Sequence, residues 1–319
     1  MDLEYTNCPF CKSKKNKQLF VGKDYLFSQE NFTVVKCASC GLLFTNPRVK
    51  ENQISSYYYS GYSPYKEVRQ QTILEKIKNK VGQFFGNPHR EILQILRSIE
   101  AKTVLEIGPG NGNLLYFLKE NGFEVAGVEI DKTCVKRIRE KGICCYLGDL
   151  NETISEIGSK KFDAVILFHV FEHLYHPKET LKKIYDLLSE IGLIYISLPN
   201  SSSLEAKLFG KYWRGFDLPR HIVHYDVNSI TKILLQMGYK IIKIENQIFP
   251  SSFLESIAFR FFRKGKMPDK LYYSLYYPWK LLCPVMIKFI GSGVISVIAG
   301  KNSGDNGSTI TIVPGNIRD

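Results

Sequence analysis

The sequence lacks the features that would place a protein outside the cell or across a membrane. The first residues contain neither a basic start nor an apolar run, so no signal peptide is expected. No stretch of 18 uncharged apolar residues occurs, which argues against a membrane-spanning helix. Only four of the eight cysteines form C-x-x-C pairs, which does not suit a disulfide-stapled secreted domain. We therefore expect a cytoplasmic protein, with peripheral attachment to the inner face of the plasma membrane left open.

Acidic side chains are scarce relative to basic ones, and the net charge is +12. Residues 101–200 carry 12 basic and 14 acidic side chains, so the positive excess lies in the two flanks of the chain. Basic flanks suit an anionic partner such as nucleic acid, acidic lipid headgroups or a phosphorylated small molecule. A solvated, lysine-rich surface is the alternative.

The paired cysteines near the N-terminus predict a metal site. Cys8, Cys11, Cys37 and Cys40 have the spacing C-x2-C-x25-C-x2-C, which supplies four thiolates to a tetrahedral zinc ion. Residues 1–46 contain too little apolar material to fold without such a staple. We predict a zinc ribbon with a structural ion, because four protein sulfurs leave no open position for a substrate. A redox dithiol pair is the alternative.

A glycine-rich turn lies near the centre of the chain. Residues 104–107 have the pattern of a buried strand, and Gly108, Gly110 and Gly112 follow before a helical pattern begins. Glycine has no Cβ, so such a turn lets backbone N–H groups approach a ligand closely. The next predicted strand ends at Glu129, where a carboxylate can accept both hydroxyls of a ribose. This pattern predicts a nucleoside site.

Strand and helix patterns alternate through the middle of the chain. The predicted strands are 103–107, 124–130, 143–147, 162–168, 192–198, 239–245 and 293–299, and the predicted helices are 112–121, 132–141, 177–189 and 229–237. This alternation predicts the α/β class, with a doubly wound, mainly parallel, seven-stranded Rossmann-like sheet that binds ligands at the carboxyl ends of its strands.

We expect five segments along the chain. They are the zinc ribbon (1–46), an aromatic and helical linker (47–100), the cofactor-binding core (101–245), a helical, amphipathic insert with the final strand (246–300) and a flexible tail (301–319). The linker contains a tyrosine-rich stretch, which suits either a substrate lid or an aromatic contact between ribbon and core. It also contains a predicted helix at 66–85.

Four motifs follow one another in order along the core. Glu106 begins E-x-G-P-G-x-G, and Gly148-Asp149-Leu150, residues 162–166 and residues 168–174 follow. This order resembles the class I S-adenosylmethionine-dependent methyltransferases. The resemblance implies S-adenosyl-L-methionine as cofactor, with its ribose on Glu129, its adenine amino group on Asp149 and its methionine part beside the glycine turn. An NAD-binding unit or an unliganded α/β domain is the alternative. The predicted cofactor contacts are Glu106, Gly108, Gly110, Gly112, Glu129, Ile130, Asp149, Leu150 and His169.

Residues 213–225 hold more polar chemistry than a core element needs, with two arginines, two histidines, a tryptophan and an aspartate. The pattern W-R-x-x-D-x-P-R-H-x-x-H is similar to methyltransferases of bacterial surface-polysaccharide and sugar biosynthesis, and the cysteine module adds a likeness to zinc-containing deoxysugar C-methyltransferases. The resemblance implies His221 as general base, with His224 and Arg220 beside it. Arg214 or Arg220 would hold a phosphate or diphosphate. In the alternative, these residues cap a loop.

Residues His169, Glu172 and His173 follow the strand predicted at 162–168. Their spacing resembles half a zinc-binding motif, but the second histidine of that motif is missing at the right spacing. We therefore expect these side chains to pack beside the cofactor pocket rather than to bind metal.

Residues 246–290 interleave aromatic and basic side chains, and their last part is amphipathic. Such a segment suits the interface of an anionic membrane, and a cap over the sheet or a homodimer face is the alternative.

The leading functional prediction is methyl transfer to a nucleotide-linked or lipid-linked sugar in surface-polysaccharide or deoxysugar biosynthesis. Nucleic acid is not the favoured partner, because no RNA-binding module other than the ribbon is present. The alternatives are an RNA methyltransferase that grips the phosphate backbone with the ribbon and basic flanks, and a non-catalytic scaffold that binds cofactor.

Overall fold

A computed structural model describes residues 2–58, 88–262, 265–302 and 311–312. The predicted helix at 66–85, part of the tyrosine-rich stretch and nearly all of the predicted tail lie outside these residues.

The described chain alternates strands and helices. The strands are β1 Leu3–Glu4, β2 Asn16–Lys23, β3 Asn31–Cys37, β4 Leu43–Thr45, β5 Arg48–Val49, β6 Thr103–Ile107, β7 Glu124–Glu129, β8 Cys144–Leu147, β9 Phe162–Phe168, β10 Leu188–Pro199, β11 Val223–His224, β12 Tyr239–Asn246, β13 Val294–Lys301 and β14 Thr311–Ile312. The helices are α1 Pro88–Ser98, α2 Asn113–Glu120, α3 Lys132–Glu140, α4 Leu150–Ile157, α5 Pro177–Leu187, α6 Leu204–Phe209, α7 Val227–Gln236, α8 Pro250–Phe261 and α9 Asp269–Ile290.

The large sheet has the strand order β14-β12-β13-β10-β9-β6-β7-β8. The five strands from β10 to β8 are parallel, and β13 runs antiparallel between β10 and β12. This confirms the predicted mainly parallel, Rossmann-like sheet. The sheet also contains an eighth strand, β14, which pairs with β12. Two residues carry no periodic signal, so sequence patterning could not reveal this strand.

Helices cover both faces of the large sheet. On one face, α1, α2 and α3 contribute Ile92, Leu115 and Ile138 to a buried cluster with strand residues. On the other face, α5 and α7 contribute Leu181 and Ile230 to a second cluster. Because both faces are buried, the central strands are apolar throughout, as expected for a doubly wound sheet.

A smaller sheet with the order β11-β4-β3-β2 packs beside the large one. Its first three strands in chain order come from the N-terminal cysteine segment, but β11 lies inside the polar segment 213–225. Val223 pairs with Phe44, and His224 pairs with Leu43. The cysteine segment is therefore joined to the segment in which the sequence predicts the catalytic residues.

Helices α8 and α9 lie between β12 and β13 in the chain and pack on each other, with Phe253 and Trp279 stacked at 4.4 Å between ring centroids. Within the residues that the structure describes, none of the helices combines the length and the apolar character that crossing a membrane would require.

Candidate active site

Four predicted ligand-binding positions meet along one edge of the large sheet. Because β8, β7, β6 and β9 are parallel neighbours, their carboxyl ends bring together Asp149, Glu129, the glycine turn and His169 in that order. The chain order of the strands reverses between β6 and β9, and such switch points are where open α/β sheets bind ligands.

The glycine turn needs glycine for both its backbone conformation and its packing. Gly108 and Gly112 have φ angles of +69° and +80°. A Cβ on Gly108 would lie 2.6 Å from Cγ2 of Val170, and one on Gly112 would lie 2.9 Å from Cγ1 of Ile138. Side chains at these positions would therefore push the turn away from the strand ends, where a ligand would lie.

The carboxylate of Glu129 is fixed by the backbone around it. The N–H of Gly110 donates to Oε2 at 2.8 Å, and the N–H of Asp131 donates to Oε1 at 2.9 Å. Burial raises the pKa of Glu129, and these two N–H groups oppose that rise. Each carboxylate oxygen has a second lone pair, so both can still accept a hydroxyl of a ribose.

A second carboxyl group, that of Glu106, is buried on the neighbouring strand. Burial, and then the charge of Glu129, raise the pKa of Glu106 to about 8. At pH 7 this carboxyl is therefore mainly protonated, and it adds a hydrogen-bond donor rather than a second negative charge beneath the turn.

The remaining predicted cofactor contacts differ in how far their side chains are exposed at the strand edge. The side chain of Ile130 is 60% exposed directly after Glu129, which leaves an apolar surface beside the carboxylate. Asp149 caps α4, with Oδ1 accepting the N–H of Glu152 at 2.8 Å. Leu150 is 3% exposed and packs in the core, so its side chain does not face the edge.

His169 has a left-handed backbone, with φ of +57°, at the end of β9. This conformation is uncommon for a residue with a Cβ, and such residues concentrate at functional sites. Nδ1 of His169 lies 3.4 Å from Oε1 of Glu172. This contact connects the end of β9 to the polar residues of the turn that follows it.

The two polar clusters that the sequence shows separately form one site. The N–H of Ile222 donates to the carbonyl oxygen of Glu172 at 2.9 Å, which ties the segment containing His221 to the turn after β9. Nε2 of His221 lies 3.8 Å from Oε1 of Glu172, and the rings of His221 and His173 are 4.6 Å apart. Glu172 and His173, which the sequence assigned to packing, thus face the predicted base.

The family comparison decides the class of the protein. The methyltransferase-domain family matches residues 76–244, which is more than half of the chain. The chain belongs to this methyltransferase family. It is an S-adenosylmethionine-dependent methyltransferase, as the motif order predicted.

Individual relatives are distant. The "Uncharacterized methyltransferase" of Alkaliphilus oremlandii is 28% identical over 174 residues, which cover 50% of this chain and 80% of the relative. Ribosomal RNA small subunit methyltransferase A of Lactococcus lactis is 36% identical over 80 residues, but these cover only 23% of this chain and 27% of the relative. A solved SAM-dependent methyltransferase from Archaeoglobus fulgidus has a TM-score of 0.45 at 22% identity, covering 67% of this chain and 94% of that one.

In this methyltransferase, Arg220 forms a buried ion-pair network. Its Nη2 donates to Asp24 at 2.9 Å and to Asp217 at 2.7 Å, and its Nη1 donates to the carbonyl oxygen of Tyr57 at 3.2 Å. Arg220 is only 1% exposed. The predicted phosphate-binding role of Arg220 is therefore wrong, because carboxylates and a carbonyl surround the guanidinium inside the protein.

Asp217 lies between this network and the predicted base. Burial opposes its ionisation, but Arg214 and Arg220 hold its pKa well below the usual range. Its Oδ2 is 3.8 Å from Nε2 of His221. Arg214, the other predicted phosphate ligand, donates to Glu255 of α8 at 2.6 Å.

His224 contacts the small sheet. Oγ1 of Thr45 donates to the carbonyl oxygen of His221 at 3.0 Å and lies 3.2 Å from Nε2 of His224. Burial lowers the pKa of His224 to about 3, so its ring is neutral. His224 lines the same small cavity as Glu172 and His221 but is itself anchored to β4.

The four predicted zinc ligands lie together. Sγ of Cys8 is 3.6 Å from that of Cys40, and Sγ of Cys11 is 3.5 Å from that of Cys37. Sulfurs bound to a tetrahedral zinc at about 2.3 Å lie roughly 3.8 Å apart, so the residues fit the ion. Burial opposes ionisation of Cys37, but N–H groups of Cys40 and Ser39 lower its pKa to about 7.

Proposed function

We propose that this methyltransferase transfers the methyl group of S-adenosylmethionine to a sugar, nucleotide-linked or lipid-linked, in surface-polysaccharide or deoxysugar biosynthesis. The observation that carries the proposal is the buried cluster of Glu172, His173 and His221 next to the strand edge. Methyl transfer to a hydroxyl or an acidic carbon requires removal of a proton, and this cluster supplies the groups for it.

In this proposal the strand edge holds the cofactor. Glu129 accepts the ribose hydroxyls, Ile130 and Asp149 contact the adenine, and the glycine turn lies against the methionine part. Transfer from a sulfonium is an in-line displacement, so the main contribution of the protein is to position donor and acceptor.

Proton removal is placed at the Glu172 cluster, with His221 as the predicted base. The N–H at Nδ1 of His221 donates to the carbonyl oxygen of Gly215 at 2.8 Å, which leaves Nε2 as the atom that faces the cluster. Burial lowers the pKa of His221 to about 4, so the ring is neutral near pH 7.

Helix α9 supports a lipid-linked acceptor. Many of its apolar side chains are exposed by 41% or more, and they lie on the same helix as Lys270, Lys280 and Lys288. An apolar surface beside lysines suits the headgroup region of an anionic membrane. A second copy of the chain covering this helix is the alternative. The exposed apolar residues of α9 are Leu271, Tyr273, Leu275, Tyr277, Leu281, Leu282, Val285 and Met286.

Labelled S-adenosylmethionine, offered with nucleotide sugars, a glycolipid extract and RNA in parallel, tests the acceptor. We expect label in the nucleotide-sugar or the glycolipid fraction, and the two fractions distinguish the two forms of the acceptor. The His221→Asn variant should lose transfer while it binds the cofactor as the unmodified chain does. Label confined to RNA would replace the sugar with the RNA alternative, and no label in any fraction would favour the scaffold.

We also propose that the four paired cysteines hold a structural zinc ion. Zinc removal by a chelator, or the Cys37→Ser change, should lower the melting temperature and abolish transfer, because the small sheet includes β11 of the polar segment. Metal analysis should find one zinc fewer per chain in the variant. Cys144→Ser removes an exposed cysteine outside the cluster. This variant should keep the melting temperature, the transfer activity and the zinc content of the unmodified chain. Equal zinc content in both variants would contradict the assignment.

A further inference from the structure

The side chain of Glu172 is a buried carboxylate in the turn after β9. The residue is 1% exposed, and neither oxygen has a hydrogen-bond partner among the residues that the structure describes. Nδ1 of His169 is 3.4 Å from Oε1, which is longer than a well-formed N–H···O hydrogen bond. Leaving a buried charged group without a compensating partner costs more than leaving a neutral one, so something positive is expected beside this carboxylate.

In two histidines of this cluster, the hydrogen bond made by Nδ1 decides which ring nitrogen can accept. Nδ1 of His173 lies 2.9 Å from the carbonyl oxygen of Arg220 and 3.0 Å from the phenol oxygen of Tyr58. A carbonyl oxygen can only accept and a phenol oxygen can also accept, so both contacts are satisfied when the hydrogen is on Nδ1. Nδ1 of His221 likewise donates to the carbonyl oxygen of Gly215, at 2.8 Å. In the neutral form of each ring, Nε2 therefore carries a bare lone pair.

This arrangement has the form of a metal site. One ligand atom from each of Glu172, His173 and His221 lies within 4.8 Å of the other two. Nε2 of His221 is 3.8 Å from Oε1 of Glu172, and ligand atoms about 2.1 Å from a tetrahedral ion lie roughly 3.4 Å apart. Histidines that bind metal usually donate their other ring N–H to a carbonyl or carboxylate, as both histidines do here.

We propose that Glu172, His173 and His221 bind a divalent first-row transition metal ion, separate from the zinc of the cysteine cluster. Two imidazoles and one carboxylate suit ions such as Zn²⁺, Fe²⁺ or Mn²⁺, and they leave further coordination positions open. The half motif seen in the sequence is completed by His221, which chain folding brings from beyond β10.

The metal site extends the proposed function. Only the role of the ion in proton removal rests on that proposed function. An acceptor oxygen bound to the ion would have a lower pKa and would release its proton to solvent. With the ion bound, Nε2 of His221 is a ligand, and this role replaces its role as the base. Binding of the ion itself needs neither the sugar nor the cofactor, so it can be tested apart from transfer.

Metal analysis of the full chain, dialysed against micromolar Mn²⁺, tests the site. We expect the unmodified chain to hold one more metal ion, summed over all elements, than the Glu172→Gln variant. Both proteins keep the zinc ion of the cysteine cluster, so that ion does not contribute to the difference in metal content. Added Mn²⁺ should also raise the melting temperature of the unmodified chain after it has been stripped with a mild chelator, and leave that of the variant unchanged.

The His176→Gln variant is the matched control, because His176 also faces a carboxylate, with Nε2 3.3 Å from Glu51, but lies outside the cluster. It should hold as much metal as the unmodified chain. Should Glu172→Gln not fold, His173→Asn removes a different ligand and should show the same loss of one ion. Equal metal content in the unmodified chain and the ligand variants, or an equal loss in His176→Gln, would overturn the site.

Discussion

Replacing Arg220 with methionine is expected to lower the free energy of unfolding by about 3 to 5 kcal/mol. Methionine keeps much of the side-chain volume but removes the charge that Asp24 and Asp217 share. Both aspartates are buried, so the variant must either hold unpaired charges inside the protein or bind protons there. Urea denaturation followed by circular dichroism measures the loss.

A second ion pair provides the control. Lys50 pairs with Asp2 at 3.0 Å, and both side chains are well exposed to solvent. The Lys50→Met change should therefore lower the free energy of unfolding far less than Arg220→Met does, because water screens such pairs. A loss in Arg220→Met no larger than that of Lys50→Met would show that the buried network does not hold the small sheet to the polar segment.

The chemistry of the strand edge could be predicted because each part of it is local in the chain. The glycine turn follows directly after β6, Glu129 ends β7, and the predicted strand 162–168 coincides with β9. Once the strands are known to be parallel, their carboxyl ends must share an edge. Helix α4 was missed although its sequence signals it, because Leu150, Ile154 and Ile157 have helical spacing and Asp149 and Glu152 form a capping box at its start.

The polar cluster could not be predicted in the same way, because its contacts are long-range. Asp24 lies 196 residues from Arg220, and nothing near either residue marks the other as its partner. Arg214 and Arg220 have the residue type that binds phosphate, and only burial shows that Arg220 serves the fold instead. Likewise, the sequence placed Glu172 and His221 in separate clusters, and their meeting depends on how the loop after β10 crosses the turn after β9.

The Glu129→Ala variant is expected to lose cofactor binding by about 100-fold or more, which corresponds to roughly 3 kcal/mol. Alanine removes both oxygens that would accept the ribose hydroxyls, and it releases the N–H groups of Gly110 and Asp131 that now hold the turn in place. Calorimetric titration with S-adenosylmethionine measures the change. Glu124→Ala, at the opposite, exposed end of the same strand, should bind as the unmodified chain does.

The two buried carboxyls of this edge, Glu106 and Glu129, should respond differently to replacement by glutamine. Because the pKa of Glu106 is raised to about 8, this group is mainly protonated at pH 7, and Glu106→Gln replaces one neutral donor with another. Its cofactor affinity should stay within a few-fold of the unmodified value. Glu129→Gln, in contrast, removes an acceptor oxygen and turns an amide group toward a backbone N–H that already needs an acceptor. If both glutamine variants lost affinity equally, the ribose would be held by the pair of carboxyls together, and the division of roles between β6 and β7 would be wrong.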